Sequence, residues 1–151
     1  MKLLIFSDSH GMVEPMADIA QKEQPDAIIH LGDTTRDAEN LDRMLGNITI
    51  CILPGNNDFF ATYKKEKAVC FDGLRLFLCH GHTLQVKQSL IPLRERAKQQ
   101  ACAAALFGHT HQPLSEIRDG IWLFNPGSLP YSRSYGVIKT GHPPSFTLKF
   151  L

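Results

Sequence analysis

Lys2-Leu3-Leu4-Ile5-Phe6-Ser7-Asp8-Ser9-His10 opens the chain with an apolar run that ends in an Asp-x-His tip. A short apolar run bounded by polar residues is the pattern of a strand covered on both faces. The arrangement recurs along the chain. Residues 27–31 lead to Gly32-Asp33, and residues 48–53 to Gly55-Asn56-Asn57-Asp58. Residues 74–79 lead to His80-Gly81-His82. Residues 103–107, a weaker strand signal, lead to Gly108-His109-Thr110-His111. Loops after parallel strands gather at one edge of a sheet, where open α/β folds place their active sites. Asp, Asn and His at such tips are the donors a metal site needs.

The segments between these runs fill in the fold. Residues 13–23 predict a helix with Pro15 in its first turn, where proline is tolerated. Residues 37–45 predict a second, with Leu41, Met44 and Leu45 on one side and Gly46-Asn47 closing it. This βαβαβ opening implies a parallel sheet with right-handed crossovers. The second half reads as antiparallel. Asp72-Gly73 joins residues 68–71 to 74–79, Asp119-Gly120 joins 114–118 to 121–124, and a last pair spans 135–139 and 145–150. Between them, residues 88–100 predict a helix whose regular part starts near Pro92. The expectation is an α/β fold of two mixed β-sheets packed together, with helices outside.

Bulk properties bound the function. At 151 residues the chain is expected to form a single domain, 1–151. A formal net charge of +1 gives no extended nucleic-acid surface and no membrane-binding footprint. No apolar stretch approaches the length of a membrane span. Cys51, Cys70, Cys79 and Cys102 show no CxxC spacing, so free thiols in a reducing, cytoplasmic setting are expected. Lys64-Lys65-Glu66-Lys67 reads as a solvated loop.

The residue types narrow the chemistry. Structural zinc sites favour closely spaced cysteine, whereas the candidates here are Asp8, His10, Asp33, Asn56, His80, His109 and His111. Imidazole mixed with carboxylate and carbonyl oxygen suits Mn first, with Fe, Ni or Zn as alternatives. Seven ligands exceed one tetrahedral ion and suit two ions sharing a carboxylate. Two metals roughly 3.5–4 Å apart form the clamp used in phosphate ester hydrolysis.

In order and identity, these motifs resemble the calcineurin-like metallophosphoesterase superfamily, whose pattern is D-x-H, G-D, G-N-H-D/E, a lone H, and G-H-x-H. The resemblance covers nearly the whole chain. His30-Leu31-Gly32-Asp33, Gly81-His82 and Asn125-Pro126-Gly127-Ser128 are similar to the compact bacterial and archaeal phosphodiesterase branch, itself related to the scaffold subunit of the retromer complex. It implies a four-layer α/β/β/α sandwich. It also implies one metal between Asp8, His10, Asp33 and His111 and a second between Asp33, Asn56, His80 and His109. Asp33 is then the bridge, and a hydroxide between the ions attacks phosphorus in line.

One position departs from the family. Many relatives carry a histidine after the metal-binding Asn, which protonates the leaving group. Here it is Asn57, which cannot act as an acid near neutral pH. His82 becomes the expected catalytic replacement, with Asp58 in the matching carboxylate position. Asn57, Arg36, Ser128 and Arg133 are the expected substrate contacts. His30 is expected to support the ligands from within a strand. Phe59, Phe60 and Tyr63 could stack on a substrate ring or pack in the core. The reading is a two-metal hydrolase acting on a small phosphate ester, diester before monoester and with a nucleotide among the candidates, and with a homo-oligomer left open. The alternative is a catalytically weak metal-binding scaffold for protein interaction.

Overall fold

Each apolar run that ends in a polar tip becomes a strand in the computed structural model, which describes residues 1–151. The chain runs β1 (Lys2–Phe6), α1 (Val13–Glu23), β2 (Ala27–His30), α2 (Thr35–Leu45), β3 (Thr49–Ile52), β4 (Glu66–Phe71) and β5 (Leu74–Cys79). It continues through a 3-10 turn (His82–Leu84), α3 (Ile91–Gln99), β6 (Ala104–Leu106), β7 (Leu114–Arg118), β8 (Ile121–Asn125), β9 (Ser134–Lys139) and β10 (Ser145–Phe150). Pro92 sits in the first turn of α3, as its missing N–H allows. None of the helices is long and apolar enough to cross a membrane.

Two five-stranded sheets form, ordered β10-β9-β1-β2-β3 and β4-β5-β6-β8-β7. Both are mixed, but the chain does not divide into a parallel and an antiparallel half. β9 and β10 join the parallel β1-β2-β3 set by antiparallel pairing beside β1. In the second sheet, the β4–β5 and β7–β8 hairpins flank β6, which pairs parallel with both β5 and β8. β6 has three residues, all buried, and α3 before it supplies the crossover. So short an apolar run carries too little pattern to declare its direction. Both Asp-Gly turns have positive φ at each central residue: 50° and 79° at Asp72-Gly73, 50° and 77° at Asp119-Gly120. That geometry matches the twist of the flanking strands.

Strand alternation builds the layers. Leu3 and Ile5 enter an apolar layer between the sheets, with Leu76, Leu78, Leu106, Phe124 and Ile138. Leu4 and Phe6 face the other way, onto Met16 and Ile19 of α1 and Leu41 of α2. On the second sheet Phe77, Ala105 and Leu123 meet Leu93 and Ala97 of α3. Three apolar layers separate four layers of structure, so the fold is the expected α/β/β/α sandwich. Each fully buried Leu or Phe contributes about 1.5–3 kcal/mol. All four cysteines are free.

A buried acid fastens the far end of α1 to the first sheet. Glu23 Oε1 accepts from Lys149 Nζ at 2.6 Å and from Tyr135 Oη at 2.9 Å, and Oε2 lies 3.1 Å from Lys2 Nζ. Burial by itself raises the Glu23 pKa, but the two lysines and Tyr135 outweigh it and hold it at about 2. The stabilisation is therefore fully present above the ordinary glutamate value near 4.5 and fades as pH falls toward 2. Glu23→Gln is expected to lower stability by about 1–3 kcal/mol near neutral pH. Urea denaturation across pH should show the gap between wild type and variant shrinking below pH about 4.5.

Candidate metal centre

The polar tips meet above the strand ends, and the backbone there is held in a conformation that aims side chains inward. Asp8, His10, Asp33, His109 and His111 all have left-handed backbones, with φ of 53°, 42°, 43°, 67° and 58°. Such φ values are uncommon outside glycine, cost energy, and persist only where the surroundings enforce them. Backbone bonds lace the loops together. The Asp8 N–H donates to Gly32 O at 2.9 Å, the Ser9 N–H to Asp33 O at 2.8 Å, and the Gly108 N–H to His80 O at 2.9 Å. Two glycines permit this closeness. A Cβ on Gly55 would collide with Asp33 Oδ1, and one on Gly108 with Ser7 Oγ.

The donor atoms converge in two groups, Asp8–His10–His111 and Asp8–Asp33–His80, each with its ligand atoms within 4.8 Å of one another. Asp8 belongs to both groups, and Asp33 joins it in the second. Asp8 is fully buried. Its Oδ2 accepts from Ser7 Oγ at 2.6 Å and from the His109 N–H at 3.1 Å. Its Oδ1 has no hydrogen bond at all. His111 Nε2 lies 3.1 Å and His80 Nε2 3.8 Å from that oxygen. His80 Nδ1 sits 2.8 Å from the Leu31 carbonyl and so carries the proton there, turning the Nε2 lone pair toward Asp8, Asp33 and Asn56. Asn56 Oδ1 is 3.2 Å from that nitrogen. The His109 ring lies edge-on to His80 at 5.1 Å. The His109 pKa is lowered to about 4, first by burial and then by His80 and Lys87. An unpaired buried carboxylate oxygen ringed by imidazole lone pairs fits a divalent cation, which would satisfy all of them.

Residues outside this set hold it in place. His30 is fully buried, and burial lowers its pKa to about 4. The neutral ring accepts the Gly32 N–H at Nδ1 (3.3 Å) and donates from Nε2 to Ser9 Oγ (3.0 Å). Ser9 Oγ donates onward to Asp37 Oδ2 at 2.7 Å. Burial raises the Asp37 pKa, but bonds from the Gly11 N–H, Ser9 and Thr34 outweigh it and leave it below the usual value. Asn125, also buried, donates to Gly108 O at 3.1 Å and to Thr110 Oγ1 at 3.0 Å, steadying the last motif. Ser9 and Asp37 were given no supporting role from the sequence, and Asn125 was read there only as part of the Asn125–Ser128 motif. A polar residue at a helix start or strand end has an ordinary capping role that hides such work.

Several expected contacts stand elsewhere than foreseen. Ser128 is fully buried, and its hydroxyl donates to the Asp8 carbonyl at 2.8 Å, so it supports Asp8 and faces no substrate. Asp58 accepts from the Asp33 and Gly55 N–H groups at one oxygen and from Thr35 at the other. Its carboxylate ties the second and third loops together and is occupied in doing so. The Asn57 amide donates to Asp33 Oδ2 at 2.7 Å, and its N–H to Asp33 Oδ1 at 3.0 Å. Arg36 and Arg133 are exposed and make no side-chain ion pair. The His82 ring lies 5.5 Å from His80, with Nδ1 buried and unpartnered. Burial, then His80 and Lys65, lowers its pKa. Phe59 and Phe60 are 83% and 97% exposed, so neither packs in the core. Tyr63 is half-buried and bonded to Glu39. Tyr131 stacks on His111 at 4.8 Å and meets His10 edge-on at 5.6 Å.

Comparison with known proteins identifies the family. The model of the calcineurin-like phosphoesterase superfamily domain matches residues 1–142. The "Probable metallophosphoesterase YsnB" of Bacillus subtilis is 32% identical over 135 residues, covering 88% of this chain and 78% of that protein. Phosphodiesterase MJ0936 of Methanocaldococcus jannaschii is 28% identical over 149 residues, covering 84% and 83%. Zinc-complexed Vps29 of Entamoeba histolytica shares the fold, with a TM-score of 0.80 at 16% identity over 99% of this chain and 97% of that one. The chain belongs to the calcineurin-like phosphoesterase superfamily, and its function is that of a metal-dependent phosphoesterase.

The Asp58 carboxylate is the simplest test of how the loops hold the donors. Asp58→Ala leaves the N–H groups of Asp33, Gly55 and Thr35 without their acceptor. Calorimetric titration of the variant should show Mn²⁺ binding weakened by about 10–100-fold. Its stability should fall by about 2–3 kcal/mol.

Proposed function

We propose that this chain hydrolyses phosphodiesters at two divalent ions held by Asp8, His10, Asp33, Asn56, His80, His109 and His111, with Mn²⁺ as the first choice of metal. The observation that carries this reading is the buried Asp8 Oδ1, bare of hydrogen bonds and facing the imidazoles of His80 and His111. When bound, the ions supply an activated water and neutralise charge on the phosphoryl group. The chain's own residues do the rest. Asp8 and Asp33 present carboxylates whose orientation is fixed by Ser7 and Asn57. His80 presents a lone pair because its other nitrogen bonds Leu31. Asn56 offers only its amide oxygen.

His82 is the remaining imidazole of the cluster, outside the proposed ligand set, and is the group we assign to protonate the departing oxygen. Asn57 is committed to Asp33 and has no proton to give at neutral pH. A diester, with a single negative charge, suits a site crowded with carboxylate and imidazole groups and with few lysines or arginines close by. The scaffold reading has the likeness to Vps29 behind it, but at 16% identity that likeness concerns the fold alone.

Hydrolysis of bis(p-nitrophenyl) phosphate and of p-nitrophenyl phosphate by metal-stripped protein, with and without Mn²⁺, tests the reading. Activity should return with Mn²⁺, favour the diester and vanish in Asp33→Ala. Tight metal binding without turnover of either ester would overturn it in favour of the scaffold. Across diesters of graded leaving groups, His82→Ala should slow poor ones by about 10²–10⁴-fold and spare good ones. Equal losses for all would remove His82 from that role.

A further inference from the structure

Beside the metal centre, a cleft of about 420 Å³ opens between the last two ligand loops. Val86, Leu90, Phe107, Pro113 and Leu114 give it apolar walls, and Lys87, Thr110, Gln112 and Arg118 its polar lining. The walls are continuations of the ligand loops. Thr110 stands between His109 and His111, and Phe107 directly precedes Gly108. On the opposite side the Val86 N–H donates to Gly81 O at 3.3 Å, in the loop that carries His80 and His82. A ligand in this cleft is therefore adjacent to the phosphoryl site.

Charge adds a second observation. Lys87 is exposed and makes neither an ion pair nor a side-chain hydrogen bond, while Arg118 pairs with Glu116. Lys87 lines the cleft with its donors uncommitted.

Resting on the phosphodiesterase reading above, we propose that this cleft receives one organic substituent of the diester, and that this substituent is an apolar, ring-sized group bearing a second anionic group that pairs with Lys87. A nucleoside carrying an additional phosphate has this chemistry. Apolar walls with a few placed polar groups are the usual composition of a small-molecule pocket. The reaction itself is unchanged. A water oxygen bonds to phosphorus, one P–O ester bond breaks, and the departing alkoxide leaves with a proton as the alcohol, without oxidant or reductant.

The test compares thymidine 5′-monophosphate with thymidine 3′,5′-bisphosphate as inhibitors of bis(p-nitrophenyl) phosphate hydrolysis by the Mn²⁺-loaded protein. The two differ only in the second phosphate. The bisphosphate should bind about tenfold more tightly. Lys87→Ala should erase the difference and Lys87→Glu reverse it, with hydrolysis of the uncharged-substituent diester unchanged. Equal inhibition by both nucleotides in the wild type, or a preference that survives Lys87→Glu, would overturn the proposal. Calorimetric titration of the same nucleotides into Mn²⁺-loaded protein gives the ratio without turnover. Failure of the cleft is thereby separated from failure of the hydrolase reading.

Discussion

Asp8 carries a carboxylate with no access to solvent, one oxygen of which has no hydrogen bond. Leaving such an oxygen bare costs several kcal/mol unless a cation answers it. The structure is arranged around that demand. Ser7 and the His109 N–H hold one oxygen, Ser128 holds the Asp8 carbonyl, and Gly32 accepts its N–H. Four regions of the chain thus fix one residue and leave its remaining oxygen pointing at imidazole nitrogens. The sandwich serves the same end. β1 stands in the middle of its sheet, between β9 and β2, so the tip that follows it is surrounded by its neighbours' loops.

The donors themselves were legible from sequence because each motif has a mechanism that shows locally. An apolar run gives a strand, and the polar residues after it fall at the strand's end. The first three strands, α1 and both Asp-Gly hairpins followed from such local signals. The direction of β6 did not, because pairing parallel to both β5 and β8 is a property of neighbours distant in the chain. The same limit explains the misplaced contacts. Ser128 follows a turn and reads as available for substrate, yet its hydroxyl bonds Asp8 at a separation of 120 residues. Asp58 reads as catalytic by position, while its partners, the N–H groups of Asp33, Gly55 and Thr35, become its partners only when two loops touch.

The supporting residues share one physical task. His30, kept neutral by burial, passes hydrogen bonds from Gly32 to Ser9, and Ser9 passes them to Asp37 at the start of α2. This chain links the loop after β1 to the loop after β2. Asp58 links the loop after β2 to the loop after β3. Asn125 holds the loop after β6. Strained left-handed backbones at five donor positions can persist because these links over-determine them. Links of this kind hold the donors together through the protein's own hydrogen bonds, which lessens what ion binding must order.

Asn57 shows how a departure from the family pattern is absorbed. A histidine there would have a proton to give. The asparagine instead grips both oxygens of Asp33, through its backbone and its side chain. The bridging candidate thereby gains a fixed orientation while the site loses an acid. If a protein has lost its chemistry, nothing in its donor set needs such bracing. If it retains its chemistry, it needs both the brace and an acid from elsewhere, and His82, on the loop that continues into the cleft wall at Val86, is where the chain has a free imidazole to supply one. Proton donor and specificity cleft would then share one loop, so that seating the substituent and meeting the departing oxygen depend on the same backbone.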